Sequence, residues 1–336
     1  MKKYISIILL LLCSLMATAQ QQPLYSQYMT NYYLVNPAVA GFEKDLNLKA
    51  GFRNQWVGFE GAPKTFYLSA ETALFQNQRK KGRRGVQAYH GAGGYAYTDN
   101  TGPTTRTAAL LSYAYHIPLN REIYFSSGVF AGFQQFRFDP NKVVMADNSN
   151  GIDPVTRNGV LNAFVPDLSV GTYLHSNRFY VGISLFQLLD NKYVSAENAD
   201  AASYLSKHLF MSGGYNFDVR RNITLTPSVL LKYAGPAPLQ ADLNMKGTYY
   251  FTKRRRTAYD DHVWTAVSYR TQDALVGLVG LQFKEQYQFS YSYDITVSPL
   301  RHHSAGSHEL MLGFRIKKTK GYKWLGQNTA SSPDQM

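Results

Sequence analysis

From Asp45 to Ile316 the chain repeats one pattern about fourteen times: a run of alternating apolar or aromatic and small or polar residues, then a turn. In D-L-N-L-K-A-G-F-R, Leu46, Leu48, Ala50 and Phe52 share a face; in Q-Y-Q-F-S-Y-S-Y-D-I-T-V, Tyr287, Phe289, Tyr291, Tyr293 and Ile295 do. Successive strand side chains point to opposite faces, so each segment predicts a strand with one greasy side. These strands begin near Asp45, Lys64, Gly85, Thr104, Arg121, Val165, Arg178, Lys207, Arg221, Leu239, His262, Asp273, Gln286 and Ser307. A soluble sandwich would turn the greasy faces inward. A barrel spanning lipid turns them outward and lines its lumen with the polar ones.

The connections separate these solutions. Counted from an N-terminus on the periplasmic side, the even-numbered connections His116–Glu122, Ser176–Arg178, Asp218–Asn222 and Lys284–Gln286 are short. Most odd-numbered ones, such as Asp139–Phe164, Leu188–Ser206 and Ser298–Gly306, are longer and polar. Outer-membrane barrels have short periplasmic turns and long external loops. A sandwich has no reason to keep that parity. Two even connections break it, Gln76–Arg84 and Lys253–Asp261, and these hold the internal basic clusters.

Composition supports lipid as the solvent. Tyr 26 and Phe 19 bring aromatics to 14% of residues, while charged residues are 17% against ~25% in soluble proteins. Met1–Ala19 has the form of a secretory signal peptide. Lys2 and Lys3 precede an apolar run, and Ala17-Thr18-Ala19 forms a small-residue cleavage site. Cys13, the single cysteine, raises a lipoprotein reading, but Leu12 stands where lipid modification wants a small residue. Cleavage near Ala19 leaves no thiol for disulfides, nucleophilic catalysis or metal ligation. No later stretch approaches the ~18–20 apolar residues of a membrane helix. The expected organisation is therefore a signal peptide (1–19), a pre-barrel segment (20–44), a transmembrane antiparallel β-barrel of about fourteen strands (45–317) and a polar tail (318–336). The pre-barrel segment is aromatic and too polar to face lipid, which puts it in the lumen or at the periplasmic mouth.

Two stretches are more specific than any pattern. Leu24–Gly41 (L-Y-S-Q-Y-M-T-N-Y-Y-L-V-N-P-A-V-A-G) and Arg53–Glu71 (R-N-Q-W-V-G-F-E-G-A-P-K-T-F-Y-L-S-A-E) resemble the start of the PorP/SprF family. The close, Tyr293–Ser298 followed by Gly306–Leu310, is also similar. Tyr32-Tyr33 departs from the more usual Asn-Pro-type pair after the first aromatic box. Members of that family are outer-membrane proteins associated with the type IX secretion and gliding apparatus of Bacteroidota. The resemblance implies a non-enzymatic barrel without cofactors that helps secreted surface proteins, often adhesins with a C-terminal sorting domain, reach or stay on the outer surface. It also implies periplasmic peptidoglycan-associated partners. The rival expectation is an outer-membrane channel for small hydrophobic molecules, with residues 20–44 as a plug.

Candidate contacts follow from what interrupts the repeat. Arg53, Gln55, Trp56, Phe59 and Glu60 lie at the first strand's end and in the first hairpin. They form a contact surface at the external mouth, or they shape a turn, with Trp56 at the membrane interface and Arg53 paired to a carboxylate such as Glu71. The clusters Arg79, Lys80, Lys81, Arg83, Arg84 and Lys253, Arg254, Arg255, Arg256 dock an acidic periplasmic partner or rest against anionic membrane lipids. These clusters also raise nucleic acid as a partner, but no base-stacking platform or binding fold accompanies them. His302, His303, His308 and Glu309 are close enough in sequence to suggest a zinc set, yet adjacent strand residues point apart. Ser304 or Ser307 near His308 lacks the orienting third group and oxyanion hole of a hydrolase. Asp260-Asp261 reads as local balance for the basic cluster before it. Gly91-x-Gly93-Gly94 reads as barrel glycines that let strands bend or a lumen element come close.

Overall fold

The computed structural model describes residues 23–74, 87–142, 161–189, 192–195, 198–204, 206–235, 237–251 and 260–317. The signal peptide and its cleavage site, the tail from 318, and both internal basic clusters lie outside these residues. The strands are β1 (Leu46–Asn54), β2 (Lys64–Leu74), β3 (Tyr89–Thr101), β4 (Thr104–Pro118), β5 (Tyr124–Phe138), β6 (Leu161–His175), β7 (Phe179–Phe186), β8 (Lys192–Ser195), β9 (Asn198–Tyr204), β10 (His208–Tyr215), β11 (Phe217–Arg220), β12 (Ile223–Ala234), β13 (Gln240–Tyr250), β14 (His262–Arg270), β15 (Ala274–Phe283), β16 (Tyr287–Thr296) and β17 (Ser307–Ile316).

β10 and β11 follow one path, interrupted at Asn216, and both pair with β12. β8 and β9 form a separate hairpin within the loop after β7. The remaining strands pair antiparallel with their sequence neighbours, and β1 pairs with β17 from Leu46↔Ile316 to Asn54↔His308. The sheet therefore closes into a barrel of fourteen strands, which leaves no long edge to template aggregation. All fourteen expected strands are present, with starts displaced by four residues at most. The side hairpin is an addition to the expected set, because its short strands carry no clear alternation.

Burial alternates along the wall as the sequence pattern requires. β14 and β15 read exposed-buried throughout, with Val267, Val279 and Leu281 outward. Exposed aromatics gather at strand ends: Tyr215, Phe217, Phe251, Phe283 and Tyr287 at the short-turn rim, Phe164, Tyr233 and Tyr269 at the opposite rim. That is the girdle arrangement of an outer-membrane barrel. A depression of about 1560 Å³ on the outer wall, lined by Leu48, Leu68, Leu111 and Phe133, belongs to this lipid-facing surface and not to the lumen. Loop parity holds only in part. Gly102-Pro103 and Thr271–Asp273 are tight turns on the long-loop rim.

Residues 23–44 fill the lumen. Three 3-10 turns, Tyr28–Thr30, Tyr32–Leu34 and Pro37–Val39, carry the chain from the long-loop rim to the start of β1 at the short-turn rim. Asn36 caps the third turn by accepting from Ala38 N, and Pro37 at its first position lacks an N–H that would otherwise need a partner. Tyr28, Tyr33 and Ala38 are buried against Tyr67, Tyr95, Phe130 and Met311 of the wall. The inner core of this barrel is therefore a plug meeting a tyrosine-rich wall. It also explains why β15 is apolar on both faces: Val276 and Leu278 pack inward.

Candidate functional site

The wall is shaped to receive the plug. A Cβ on Gly91 would lie 1.8 Å from Ala40 O, and one on Gly128 would lie 2.6 Å from Ala38 Cα. Of the glycines singled out in sequence, Gly91 and Gly93 face the plug, while Gly94 faces Leu111. Polar contacts follow the segment along the lumen. Asn31 Nδ2 donates to Ser69 (3.1 Å), Tyr33 hydrogen-bonds Ser112 (2.7 Å), and Asn36 Nδ2 donates to Thr172 O (2.9 Å). His116 Nε2 donates to Ala40 O (2.8 Å), with its Nδ1 turned to Ser126 (2.6 Å). Near the short-turn end, Arg315 pairs with Glu43 (2.6 Å) and Lys49 Nζ donates to Thr30 O (2.7 Å). Burial pushes the Glu43 carboxyl up, but Lys49 and Arg315 outweigh it and hold it below its ordinary value. Its contribution to plug seating is therefore present at neutral pH and lost as pH falls through that depressed value.

The densest polar cluster holds the plug at its other end, under the long-loop rim. Ser26 N donates to Glu309 (2.7 Å), and Ser26 Oγ donates to Asp294 (2.7 Å) while accepting from Arg53 (2.7 Å) and Arg270 (3.0 Å). Arg53 also bridges Asp294 (2.7 Å) and Glu309 (3.2 Å). Arg270 reaches Asp242 (3.3 Å) and Asp273 (3.1 Å), and Lys232 pairs with Asp242 (2.7 Å). Strand register makes this possible, because Arg53 lies opposite Glu309 and Arg270 opposite Asp242. Cross-strand charge pairs of this kind are the natural unit of sheet stabilisation. Here both open toward one serine.

The expected Arg53–Glu71 pair is not formed. Arg53 sits opposite Thr65, whereas Glu71 sits opposite Asn47, six residues further along β2 and roughly 20 Å away at ~3.4 Å per residue. Glu71 instead accepts from Gly41 N (2.9 Å). The first hairpin divides. Arg53 and Gln55 point inward and are buried, Trp56 is half-buried at positive φ, and Phe59 and Glu60 are exposed at the long-loop rim. The hairpin is tied to the first residue of β17 through Trp56 N to Ser307 Oγ (3.1 Å) and to the loop before it through Val57 N to Gly306 O (2.8 Å).

The histidine group disperses: His302 and His303 are exposed on a loop, His308 meets Tyr291, and Glu309 points into the lumen. Among the described residues no group of three His, Cys, Asp or Glu is placed to hold a metal. Ser304 and Ser307 act as turn acceptors, and Asp261 accepts from Glu285 N (2.7 Å). Sequence reading missed Ser26, Asp242, Arg270 and Asp294. The signal lay in isolated charges on otherwise small, polar inward faces, such as Asp294 in Y-S-Y-D-I-T. Between the plug and β10 and β12 a lumen cavity of about 50 Å³ remains, lined by Leu34, Phe210 and Leu230. An apolar cavity that takes up benzene is nearer ~150 Å³.

Among solved structures, the chain is similar to the Ralstonia pickettii toluene transporter TbuX, at 8% identity and TM-score 0.50, over 86% of this chain and 92% of that one. It is also similar to a Pseudomonas aeruginosa FadL homologue, at 10% identity and TM-score 0.48, over 83% and 91%. At 8% identity the likeness to TbuX is one of fold alone. A search of curated proteins gives no match. The family model described as type IX secretion system membrane protein PorP/SprF matches residues 17–314, nearly the whole of the plug and barrel just described. The chain belongs to the PorP/SprF family of outer-membrane barrels of type IX secretion.

Proposed function

We propose that this protein is a sealed docking barrel, not an enzyme, that holds secreted surface proteins at the outer face of the outer membrane after export and signal cleavage near Ala19. Its cargo is an adhesin-type protein with a C-terminal sorting domain. Trp56, Phe59 and Glu60 present the contact surface at the long-loop rim, and Arg53 and Gln55 hold that hairpin from inside. The basic clusters Arg79–Arg84 and Lys253–Arg256, which in sequence lie between β2 and β3 and between β13 and β14, serve a peptidoglycan-associated partner in the periplasm. Gliding motility is the process this arrangement suits.

One observation carries the reading: the lumen is occupied by residues 23–44, gripped at Ser26 and hydrogen-bonded along its length. Work is thereby left to the two rims. Transport of small hydrophobic molecules, the rival reading, would need this segment to move aside. The test is co-purification from native outer membranes. Phe59→Ala combined with Glu60→Lys is expected to leave barrel levels unchanged and to reduce the co-purifying surface protein at least tenfold. Unchanged recovery of that protein, or single-channel conductance from the wild-type barrel, would overturn the proposal.

A further inference from the structure

The two ends of the plug are held by different chemistry. At Ser26 the wall offers Asp294 and Glu309, both paired with Arg53. At the short-turn end, Ala40, Gly41 and Glu43 are each held through a group that titrates. His116 Nε2 donates to Ala40 O (2.8 Å), Gly41 N donates to Glu71 (2.9 Å), and Arg315 pairs with Glu43 (2.6 Å). Phe42, among them, stands edge-on to His175, with ring centroids 4.6 Å apart.

Behind this end of the plug four aromatic rings close a loop. Tyr89 stacks on His116 (4.2 Å), His116 meets His175 (6.4 Å), His175 stacks on Tyr124 (5.5 Å), and Tyr124 meets Tyr89 (5.9 Å). Tyr173 lies against His175 as well, at 5.4 Å. Both imidazoles are buried, and His175 Nε2 has no hydrogen-bond partner. His116 needs its proton on Nε2 to serve Ala40 O, which leaves Nδ1 to accept from Ser126 Oγ (2.6 Å) while the ring is neutral. The charged groups on the surrounding elements are Glu43, Lys44 and Asp45 where the plug leaves the lumen, Glu71 on β2, His90 on the outer face of β3, Arg121 and Glu122 in the turn after β4, and Arg178 in the turn after β6. Those that act on the two rings are Lys44, His90 and the rings themselves, with no carboxylate among them. Lys44 Nζ lies 5.4 Å from the centroid of Tyr89, the ring stacked on His116. Protons taken up by both imidazoles would therefore set like charges side by side in a buried site, where they repel more strongly than in water.

We propose that the short-turn end of the plug is an acid-released hinge: when His116 and His175 both charge, residues 40–44 leave the wall while Ser26 stays latched. The lumen then opens at the short-turn mouth and stays closed under the long-loop rim. The inference goes beyond docking and is independent of the cargo. Hydrogen exchange in the purified barrel, corrected for the intrinsic effect of pH, tests it. Between about pH 7 and about pH 4, well below the ordinary range of imidazole, the amides of Gly41, Phe42 and Lys44 should gain about tenfold in exchange, and that of Ser26 should gain nothing. His116→Gln keeps a donor for Ala40 O, His175→Phe keeps the ring stack, and neither can charge. The double variant should therefore lose the gain. Glu43→Gln, which removes the pair with Arg315 at both pH values, should keep it. Should the double variant not fold, His175→Phe alone is expected to cut the gain by about half, since one of the two repelling charges is gone. No gain in the wild type, or an undiminished gain in a folded histidine variant, overturns the proposal. The second result would assign the release to Glu43 and Glu71. An equal gain at Ser26 overturns it as well, because the whole plug would then be leaving.

Discussion

Arg53 shows how one residue can be conspicuous in sequence and still be misread. It opens the most distinctive stretch of the chain, where a nearby carboxylate is the natural partner to expect. Its partners are Asp294 and Glu309, more than two hundred positions away, and Ser26 of the plug. Alternation tells which face Arg53 occupies but not which distant strand closes against β1. Removing one member of a buried ionic group strands the others without compensation. Arg53→Ala is therefore expected to destabilise the barrel by about 3–5 kcal/mol in denaturant titrations from vesicles. Ser26→Ala removes hydroxyl hydrogen bonds while keeping every charge paired, and is expected to cost about 1–3 kcal/mol. Equal losses from the two substitutions would show that the serine contacts, and not the charge pairing, dominate the latch.

Elements were the most legible level. Period-two alternation placed every barrel strand, because lipid on one side and a filled lumen on the other impose opposite chemistry on successive residues. What failed was the finer signal from connections. The Gly102-Pro103 turn breaks loop parity because β3 and β4 stay paired out to Thr101↔Thr104, leaving no chain for a loop. The greasy face of β15 provides a direct test of orientation. Val279 points outward at mid-strand and is 57% exposed on the barrel wall. Val279→Arg is expected to cost about 2–4 kcal/mol in a bilayer, as a cation on a lipid-facing midplane does. A cost near zero in the same titration would place Val279 out of contact with hydrocarbon.

At the scale of the whole molecule, the plug decides what the barrel can do. An empty lumen lined by Arg53, Glu71, Asp242, Asp294 and Glu309 would be a polar pore. With residues 23–44 seated, Ser26 engages Arg53, Asp294 and Glu309 and Gly41 N engages Glu71, while Asp242 is held by Lys232 and Arg270 of the wall. Deleting residues 23–41 is expected to convert a silent barrel into one with discrete conductance steps in planar bilayers, with β1 and strand closure intact. Silence from the folded deletion variant would mean that the wall seals without the plug. The two rims differ as well, with the first hairpin at one and the short turns Leu119–Ile123, Ser176–Arg178 and Lys284–Gln286 at the other.

The sequence by itself determined the solvent, the strands and the family resemblance, because each is written in local alternation or in contiguous motifs. It marked residues 20–44 as a separate element and left open whether they enter the lumen or stop at its mouth. Only the tertiary structure decided that residues 23–44 thread the lumen, and that Ser26 meets Arg53, Arg270, Asp294 and Glu309 from four different strands. Those contacts depend on strand register and closure around a ring. Local periodicity encodes neither, since every closure of the same strands preserves the same alternation.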